Sequence, residues 1–576
     1  MPFRLLSRRA RFLATAVAVS LIGAPLTSFA DEAALPAPGA YLAAGVALSE
    51  FAFVPAAQYL DAALLADPTN PALLDRAIVA NIGLGDIDKA AGMADRLLAA
   101  GGKSQAANLA LVARAAKSGD FESILATKAD AGSVAMLDDL VKAWALVGLG
   151  RMSDATAAFD KIAATNGLEA FGLYHKALAL ASAGDFEGAD KILSADGKGG
   201  VALSRRGVIA QIQILSQLER NDEAIALIDQ KFAPGSDVEV DDLRRRLAAG
   251  EPIPYDVARN ATEGIAEVFY SLAVAVNGQT EDTFTLLHSR TAVYLRPDYI
   301  EAILLTAGLL QGLNQDDLAA AAFAEVPADS PQFYIAEIGR ANTTYASGDK
   351  EGGLNILRNL AKTHGQILAV QIALGDGLRR EGQFAEAKLA YDAAIAMVTE
   401  PGPEHWVLYF SRGVSEERSG DFAAAEVDLR EALKLDPKNP QVLNYLGYSL
   451  VDRGVNLDEA LGMIQLAVAG QPDSGEILDS LAWAYYRLGR YQDALGPQEQ
   501  ASLMEPVEPV VTDHLGDVYW AVGRKREAQF QWRRALSFNP EEVDAVRIRA
   551  KLEKGLDVVL QEEGAPPLHP ADAASE

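Results

Sequence analysis

Residues 406–439 read WVLYFSRGVSEERSGDFAAAEVDLREALKLDPKN, and three stretches in register follow them. They are PQVLNYLGYSLVDRGVNLDEALGMIQLAVAGQPDS (440–474), GEILDSLAWAYYRLGRYQDALGPQEQASLMEPVE (475–508) and PVVTDHLGDVYWAVGRKREAQFQWRRALSFNPEE (509–542). Prolines recur at Pro437, Pro472, Pro506 and Pro540, in steps of 35, 34 and 34 residues. Small residues recur at Gly413, Gly447, Ala482 and Gly516, and glycines at Gly420, Gly454, Gly489 and Gly523. Two alanine columns keep the same step, Ala425, Ala460, Ala494, Ala528 and Ala432, Ala467, Ala501, Ala535. A fixed period of this length marks a stack of identical supersecondary units, each buried only by its neighbours.

Each column has a physical reason. The unit reads as two helices, A and B, joined by a tight turn. The turn glycine accepts positive φ and ends helix A. The small residue in helix A faces the first alanine of helix B, so the two helices approach closely. The second alanine admits the next unit. Proline ends helix B because it has no amide proton and clashes with the preceding turn. Leu429, Ile464, Leu446, Leu481 and Leu515 fill the space between helices.

The columns resemble the tetratricopeptide-repeat (TPR) family, whose consensus has a small residue at position 8, alanine at 20 and 27, and proline at 32. Units then begin at Trp406, Pro440, Gly475 and Pro509, with one extra residue in the second near Val455-Asn456. The period continues upstream less regularly. Ala56, Leu60, Ala63 and Pro68 fit one unit. Turns at Gly85-Asp86, Gly119-Asp120, Gly150-Arg151, Gly184-Asp185 and Gly348-Asp349 mark others, as do Asn221-Asp222 and a unit from about Leu368. The expected fold is all-α, a right-handed TPR superhelix. Its divisions are a signal peptide at 1–30, TPR-like repeats at 31–232 and an irregular acidic, Pro/Gly-containing insertion at 233–265. Middle repeats at 266–405, four clear units at 406–542, a capping helix at 543–560 and a disordered tail at 561–576 complete it.

The chain has 576 residues, no cysteine and a formal charge of −28. Absence of cysteine excludes disulfides, thiolate catalysis and cysteine-bound metals. The negative charge argues against nucleic acid and anionic membrane surfaces and for basic or neutral protein partners. Arg4, Arg8, Arg9 and Arg11 precede an apolar run from Phe12 to Leu26, and Ser28-Phe29-Ala30 supplies small residues for a signal peptidase. Cleavage after Ala30 leaves a charge of −32 and no later segment apolar enough to span a bilayer. The expected location is the bacterial periplasm, with no transmembrane anchor after cleavage and a possible peripheral association with the outer membrane.

Enzyme signatures are missing: there is no G-x-x-x-x-G-K-[ST], H-E-x-x-H or G-x-S-x-G. The six histidines are all more than five residues apart. No catalytic residue, cofactor or metal is expected, although Asp241 and Glu251 in the irregular stretch would be the residues of a hidden hydrolase or lyase.

In TPR proteins helix A lines a concave groove, and the resemblance implies that positions 2, 5, 9, 12 and 13 face inward. The first clear unit then contributes Phe410, Glu417 and Arg418, and the second Asn444, Tyr448 and Asp452. The third contributes Asp479, Trp483, Tyr486 and Arg487, and the fourth Asp513, Asp517 and Trp520. This reads as an acidic groove with aromatic anchors, suited to a basic or neutral segment of a protein. The lysine- and arginine-rich helix A positions that capture C-terminal carboxylates in chaperone-binding members are not present here.

Three blocks, NYLGYSLVDRG (444–454), LDSLAWAYYRLGRY (478–491) and DHLGDVYW (513–520), resemble a group of bacterial periplasmic and outer-membrane TPR adaptors. Some of these assist a carboxy-terminal processing protease by presenting cell-wall hydrolases to it. The resemblance implies a scaffold in envelope proteolysis or cell-wall turnover, with a protease or hydrolase as partner. Such adaptors are typically lipoproteins, whereas this chain has no cysteine to modify. The alternative role is a structural subunit of an outer-membrane assembly or polymer-export complex.

Overall fold

A computed structural model describes residues 37–127, 135–194, 204–235 and 237–568. The signal peptide, the 195–200 loop and residues 569–576 lie outside the described residues. All regular structure among the described residues is helical. The chain divides into two compact units, one ending at Ser118 and one beginning at Gly119.

The first unit holds the helices Ala37–Ser49, Phe53–Ala66, Pro71–Leu84, Ile87–Ala99 and Gln105–Ser118. Its core is built on Phe53, Leu60, Leu74, Ile78 and Ile82. A Cβ on Gly83 would sit 2.6 Å from the Phe53 ring, which is why this helix A position is glycine. Asp86 follows the turn glycine Gly85 (φ 89°) and accepts from the Lys89 amide, starting the next helix. The same turn recurs in the second unit, where Asp185 caps on Gly188, Asp349 on Gly352 and Asp421 on Ala424. One residue accepts left-handed backbone and the next supplies the N-cap oxygen, so two residues reverse the chain.

In the second unit the four clear repeats fold as their columns require. Helix A spans Trp406–Arg418, Pro440–Arg453, Gly475–Arg487 and Pro509–Ala521. Helix B spans Phe422–Leu435, Leu457–Gly470, Tyr491–Met504 and Lys525–Ser537. The preceding pair is Leu368–Arg380 and Phe384–Met397. All eight column alanines are buried, at 3% exposure or less. A Cβ on Gly447 would lie 2.7 Å from Ile464 Cγ1 and 3.1 Å from the Ala460 carbonyl, so helices A and B touch backbone to side chain there. The extra residue of the Pro440 unit is absorbed in the turn, where Gly454 and Asn456 both take positive φ. Successive A helices pack on one another, and contact between successive B helices is sparser. The repeats therefore curve with their A helices inside.

Three expectations are corrected. The 233–265 stretch is not irregular throughout, since it contains the helix Val238–Ala248 and the start of Ala261–Val276. Asp237 caps the first of these by accepting from the Glu239 and Val240 amides. Residues Glu251–Asp256 form an extended strap on the helix Arg205–Gln217. Gln217 donates to the Ile253 carbonyl (2.7 Å), Ser216 accepts from the Ile253 amide (2.9 Å), and Gln213 bonds both backbone and side chain of Asp256. The strap delivers Ala261–Val276 onto Ala135–Gly148, where a Cβ on Gly264 would meet Trp144 at 2.2 Å. The second correction is the cap. It is two helices, Glu542–Lys554 and Leu556–Glu562, broken at Gly555 (φ 86°). The third is the tail: beyond these helices Ala565 and Leu568 still pack on the core, so it is ordered at least to Leu568.

Candidate functional site

The A-helix face of the last four repeats holds every residue expected in the groove, and the structure divides those residues into three groups. Arg418, Asp452 and Arg487 are exposed, and Glu417, Tyr448 and Trp520 are half-buried. Phe410 and Asn444 are buried between helices. Asp479, Trp483, Tyr486, Asp513 and Asp517 form a packed cluster closed by the chain itself.

That cluster begins with Trp483, which stacks between Tyr486 (4.7 Å, 8°) and His514 (4.0 Å, 11°). His514 Nδ1 donates to Asp479, 3.0 Å from Oδ2, and Gln498 donates to the other oxygen at 2.5 Å. Burial alone would lower the His514 pKa. The carboxylates of Asp479, Asp513 and Asp517 outweigh it, and the imidazolium is held above its ordinary value of 6.5.

The cap completes the cluster. Lys551, fully buried, donates to both oxygens of Asp513 (2.6 and 2.7 Å) and to Asp517 (2.6 Å). Asp517 also accepts from Trp532 Nε1 at 2.9 Å and lies 3.5 Å from Arg547. Asp557 of the short second helix accepts from Trp520 Nε1 at 3.0 Å. The acids at Asp479, Asp513 and Asp517 are therefore neutralised by His514, Lys551 and Arg547. This corrects the expectation of a free acidic groove in the Gly475 and Pro509 units, and it removes the charge argument for a basic partner there. The missed residues, Lys551, Arg547 and His514, lie 30 to 38 residues from their partners, beyond the reach of a repeat-by-repeat reading.

The open part of the A-helix face lies in the Leu368, Trp406 and Pro440 units. Arg380, Arg418, Asp452 and Arg487 occupy position 13 of four successive A helices and are all exposed. Arg380 stacks over the Tyr345 ring at 4.6 Å and Arg418 over Phe384 at 5.4 Å, each reaching back one repeat. Arg487 instead donates to the Asp452 carbonyl at 3.1 Å. Below them Tyr448 is crowded by burial and by the carboxylates of Asp479 and Asp452, which raise its phenol pKa.

A second ionic cluster lies where the strap crosses the array. Buried Glu267 accepts from Tyr174 (2.9 Å), Tyr299 (2.5 Å) and Arg206 (2.8 Å), and Arg206 also reaches Glu301 at 2.9 Å. The acids of the 233–265 stretch are paired in the same manner: Asp237 and Glu239 with Arg205, Asp242 with Arg245 and Glu251 with Arg246. Asp241 accepts from the Gly235 amide. Among the described residues no group of histidines and carboxylates is arranged to hold a metal, and no helix is long and apolar enough to cross a membrane.

The family model for the tetratricopeptide repeat matches residues 372–440 and 411–474. The chain carries tetratricopeptide repeats. Its TPR array is 38% identical over 115 residues to the TPR repeat-containing protein PA4667 of Pseudomonas aeruginosa, covering 20% of this chain and 19% of that protein. It is 26% identical over 147 residues to superkiller complex protein 3 of Mus musculus, covering 26% of this chain and 9% of that one. The matched segments thus span a fifth or less of these relatives. Among solved structures, the Cut9–Hcn1 hetero-tetramer of the APC/C aligns over 90% of this TPR chain and 96% of its own (15% identity, TM-score 0.38). Yeast Tom70 aligns over 92% and 99% (13% identity, TM-score 0.29). Tetratricopeptide repeats are modules of protein–protein interaction, and residues 372–474 of this chain match them.

Proposed function

We propose that this TPR chain is a periplasmic adaptor that gathers proteins of the bacterial cell envelope, in proteolysis or cell-wall turnover. The observation that carries the reading is the open A-helix face of the Leu368, Trp406 and Pro440 units. It is a concave, repeat-built surface with exposed charged groups held in a fixed row. Rigid presentation of polar groups on stacked helices suits recognition of a protein segment, because little side-chain freedom is lost on binding. The export signal at residues 1–30 and the resemblance of 444–454, 478–491 and 513–520 to envelope adaptors support the location and the partner class. An envelope protease or a cell-wall hydrolase is the proposed partner.

Fractionation of cells producing the tagged chain, with N-terminal sequencing of the product, tests the location. The reading requires a periplasmic product that begins at Asp31. Recovery of unprocessed chain in the cytoplasm would overturn it. Capture from native envelope extract tests the partner class, with a protease or hydrolase enriched above an unrelated TPR control.

A further inference from the structure

We propose that the helix Ala37–Ser49 pairs with the same helix of a second copy of this chain, across a two-fold axis, through Leu42 and Val46. The proposal goes beyond the adaptor reading and stands without it. Ala40, Ala44 and Ala47 follow one another in steps of four and three and are buried on the side of this helix that packs on Phe53–Ala66. Leu42 and Val46 stand on the opposite side, 67% and 59% exposed among the described residues. Pro38 and Ser49, also exposed, extend their row to both ends of the helix. No residue from Ala37 to Ser49 is charged. A helix that is apolar all round belongs in an interior, so the second face of this one calls for a cover.

Charge says what that cover is. The chain carries 79 acids against 51 bases, and this excess drives two copies apart wherever charged surfaces meet. Two copies approach closely only at a face free of charge, and this helix offers thirteen residues of it. A basic partner would find no carboxylate there to pair with. The exposed valines of the cap, Val543 and Val546, differ in being bordered by exposed Glu542, Arg549 and Glu553. Head-to-tail stacking of the charge-free helix on that cap would bury those charges unpaired, so a closed two-fold pair is favoured. Around the axis Leu42 of one copy meets Val46 of the other. Beside them, a Cβ on Gly45 would meet only Arg76 Nη1, at 3.9 Å, which leaves room for a second helix to come close. A helix of this length is about 20 Å long and about 10 Å wide. One such pair buries less than the roughly 800 Å² per partner of a standard interface, so the association is weak and depends on concentration.

The test is sedimentation of the chain as recovered from the producing cells, between roughly 1 and 100 µM, the range that suits a contact smaller than a standard interface. The mass should rise from one chain towards two and stop there. Leu42→Glu with Val46→Glu should raise the dissociation constant at least about tenfold, because each glutamate would face an apolar side chain or another carboxylate. Val543→Glu with Val546→Glu should leave it unchanged, and both variants should keep the wild-type helix content by circular dichroism. The chain has no cysteine, so introduced thiols report this contact alone. An equimolar mixture of Leu42→Cys and Val46→Cys chains should form a disulfide-linked dimer under mild oxidation, since the bond requires Cα atoms within about 7 Å. The mass of one chain at every concentration would overturn the proposal, and a Leu42→Cys thiol that resists labelling in that monomer would assign the face to residues before Ala37. Growth beyond two chains, or a dimer that survives Leu42→Glu with Val46→Glu, would overturn it equally.

Discussion

Lys551 has no solvent exposure, and its ammonium lies 2.6 Å from Asp517, a carboxylate that is equally buried. The contact joins the cap to helix A of the Pro509 unit across the face where a TPR ligand would otherwise lie. A terminal repeat has no following neighbour to bury its open side, so a cap is obligatory. Here the cap also supplies the countercharge for two acids that the repeat places inside.

Removing that ammonium should be costly. Lys551→Met leaves Asp513 and Asp517 buried without their cation, and broken buried pairs of this kind cost about 3–5 kcal/mol. Unfolding of the C-terminal repeats, followed by fluorescence of Trp520 and Trp532, should move to lower denaturant. Adding Asp513→Asn and Asp517→Asn should recover most of the loss. A loss that is unchanged in the triple variant would assign it to packing of the lysine stem instead.

Glycine substitutions should separate by position. Gly447→Ala places a Cβ 2.7 Å from Ile464 Cγ1 and 3.1 Å from a backbone carbonyl that cannot move cheaply. Overpacking of about 1–3 kcal/mol then exceeds the helix-propensity gain of about 1 kcal/mol. Gly462 lies inside helix Leu457–Gly470 with open space where a Cβ would go. Gly462→Ala should stabilise by about 0.5–1 kcal/mol. Thermal unfolding of the two variants, measured side by side, checks the opposite signs.

A pH dependence follows from Glu416. Its carboxyl is buried between Asp428 and the cations Arg412 and Lys388, and burial followed by repulsion from Asp428 pushes its pKa up to about 7, from an ordinary 4.5. A raised acid pKa means that the folded state holds the proton more tightly than the unfolded state. The stabilisation is fully present below 4.5 and is lost as pH rises through about 7. Glu416→Gln should flatten the fall in melting temperature between pH 5 and pH 8, to which His514 also contributes, and an unchanged slope would remove Glu416 from the account.

His514 contributes with the same sign by another route. Its imidazolium, paired with Asp479, is favoured in the folded state, so the stabilisation is complete below 6.5 and fades as pH rises through the raised value. Trp483 reports it directly because the two rings stack at 4.0 Å. Emission from Trp483 should change with pH along a midpoint above 6.5, and His514→Gln should abolish the change.

The repeat frame was legible because every column residue acts within its own unit or the next. Trp406, Pro440, Gly475 and Pro509 each begin a helix, and the turn glycines Gly420, Gly454, Gly489 and Gly523 all have positive φ. The helix Val238–Ala248 is hidden in the sequence because acids, glycine and proline dominate the stretch around it. Its own signals were present: Asp237 as N-cap, Glu239 and Asp241 in the first turn, Arg245 and Arg246 in the last, and Val240, Leu243 and Leu247 on one face. The expected groove residues all lie on A helices, but whether that face is open depends on the cap, which follows no period. Nothing in the Pro509 unit alone says that Asp513 and Asp517 meet Lys551, and the Asp479–His514 pair needs the distance between two A helices.

The most direct measurement is site-specific photo-cross-linking in native envelope extract. One chain carries a photoreactive amino acid at Asp452, exposed on the A-helix face of the Pro440 unit. A second carries it at Leu466, exposed on helix B of the same unit. The account predicts discrete protein adducts from the Asp452 position and none from Leu466. Adducts from Leu466 with none from Asp452 would contradict it, and would place the partner on the outer face of the repeats.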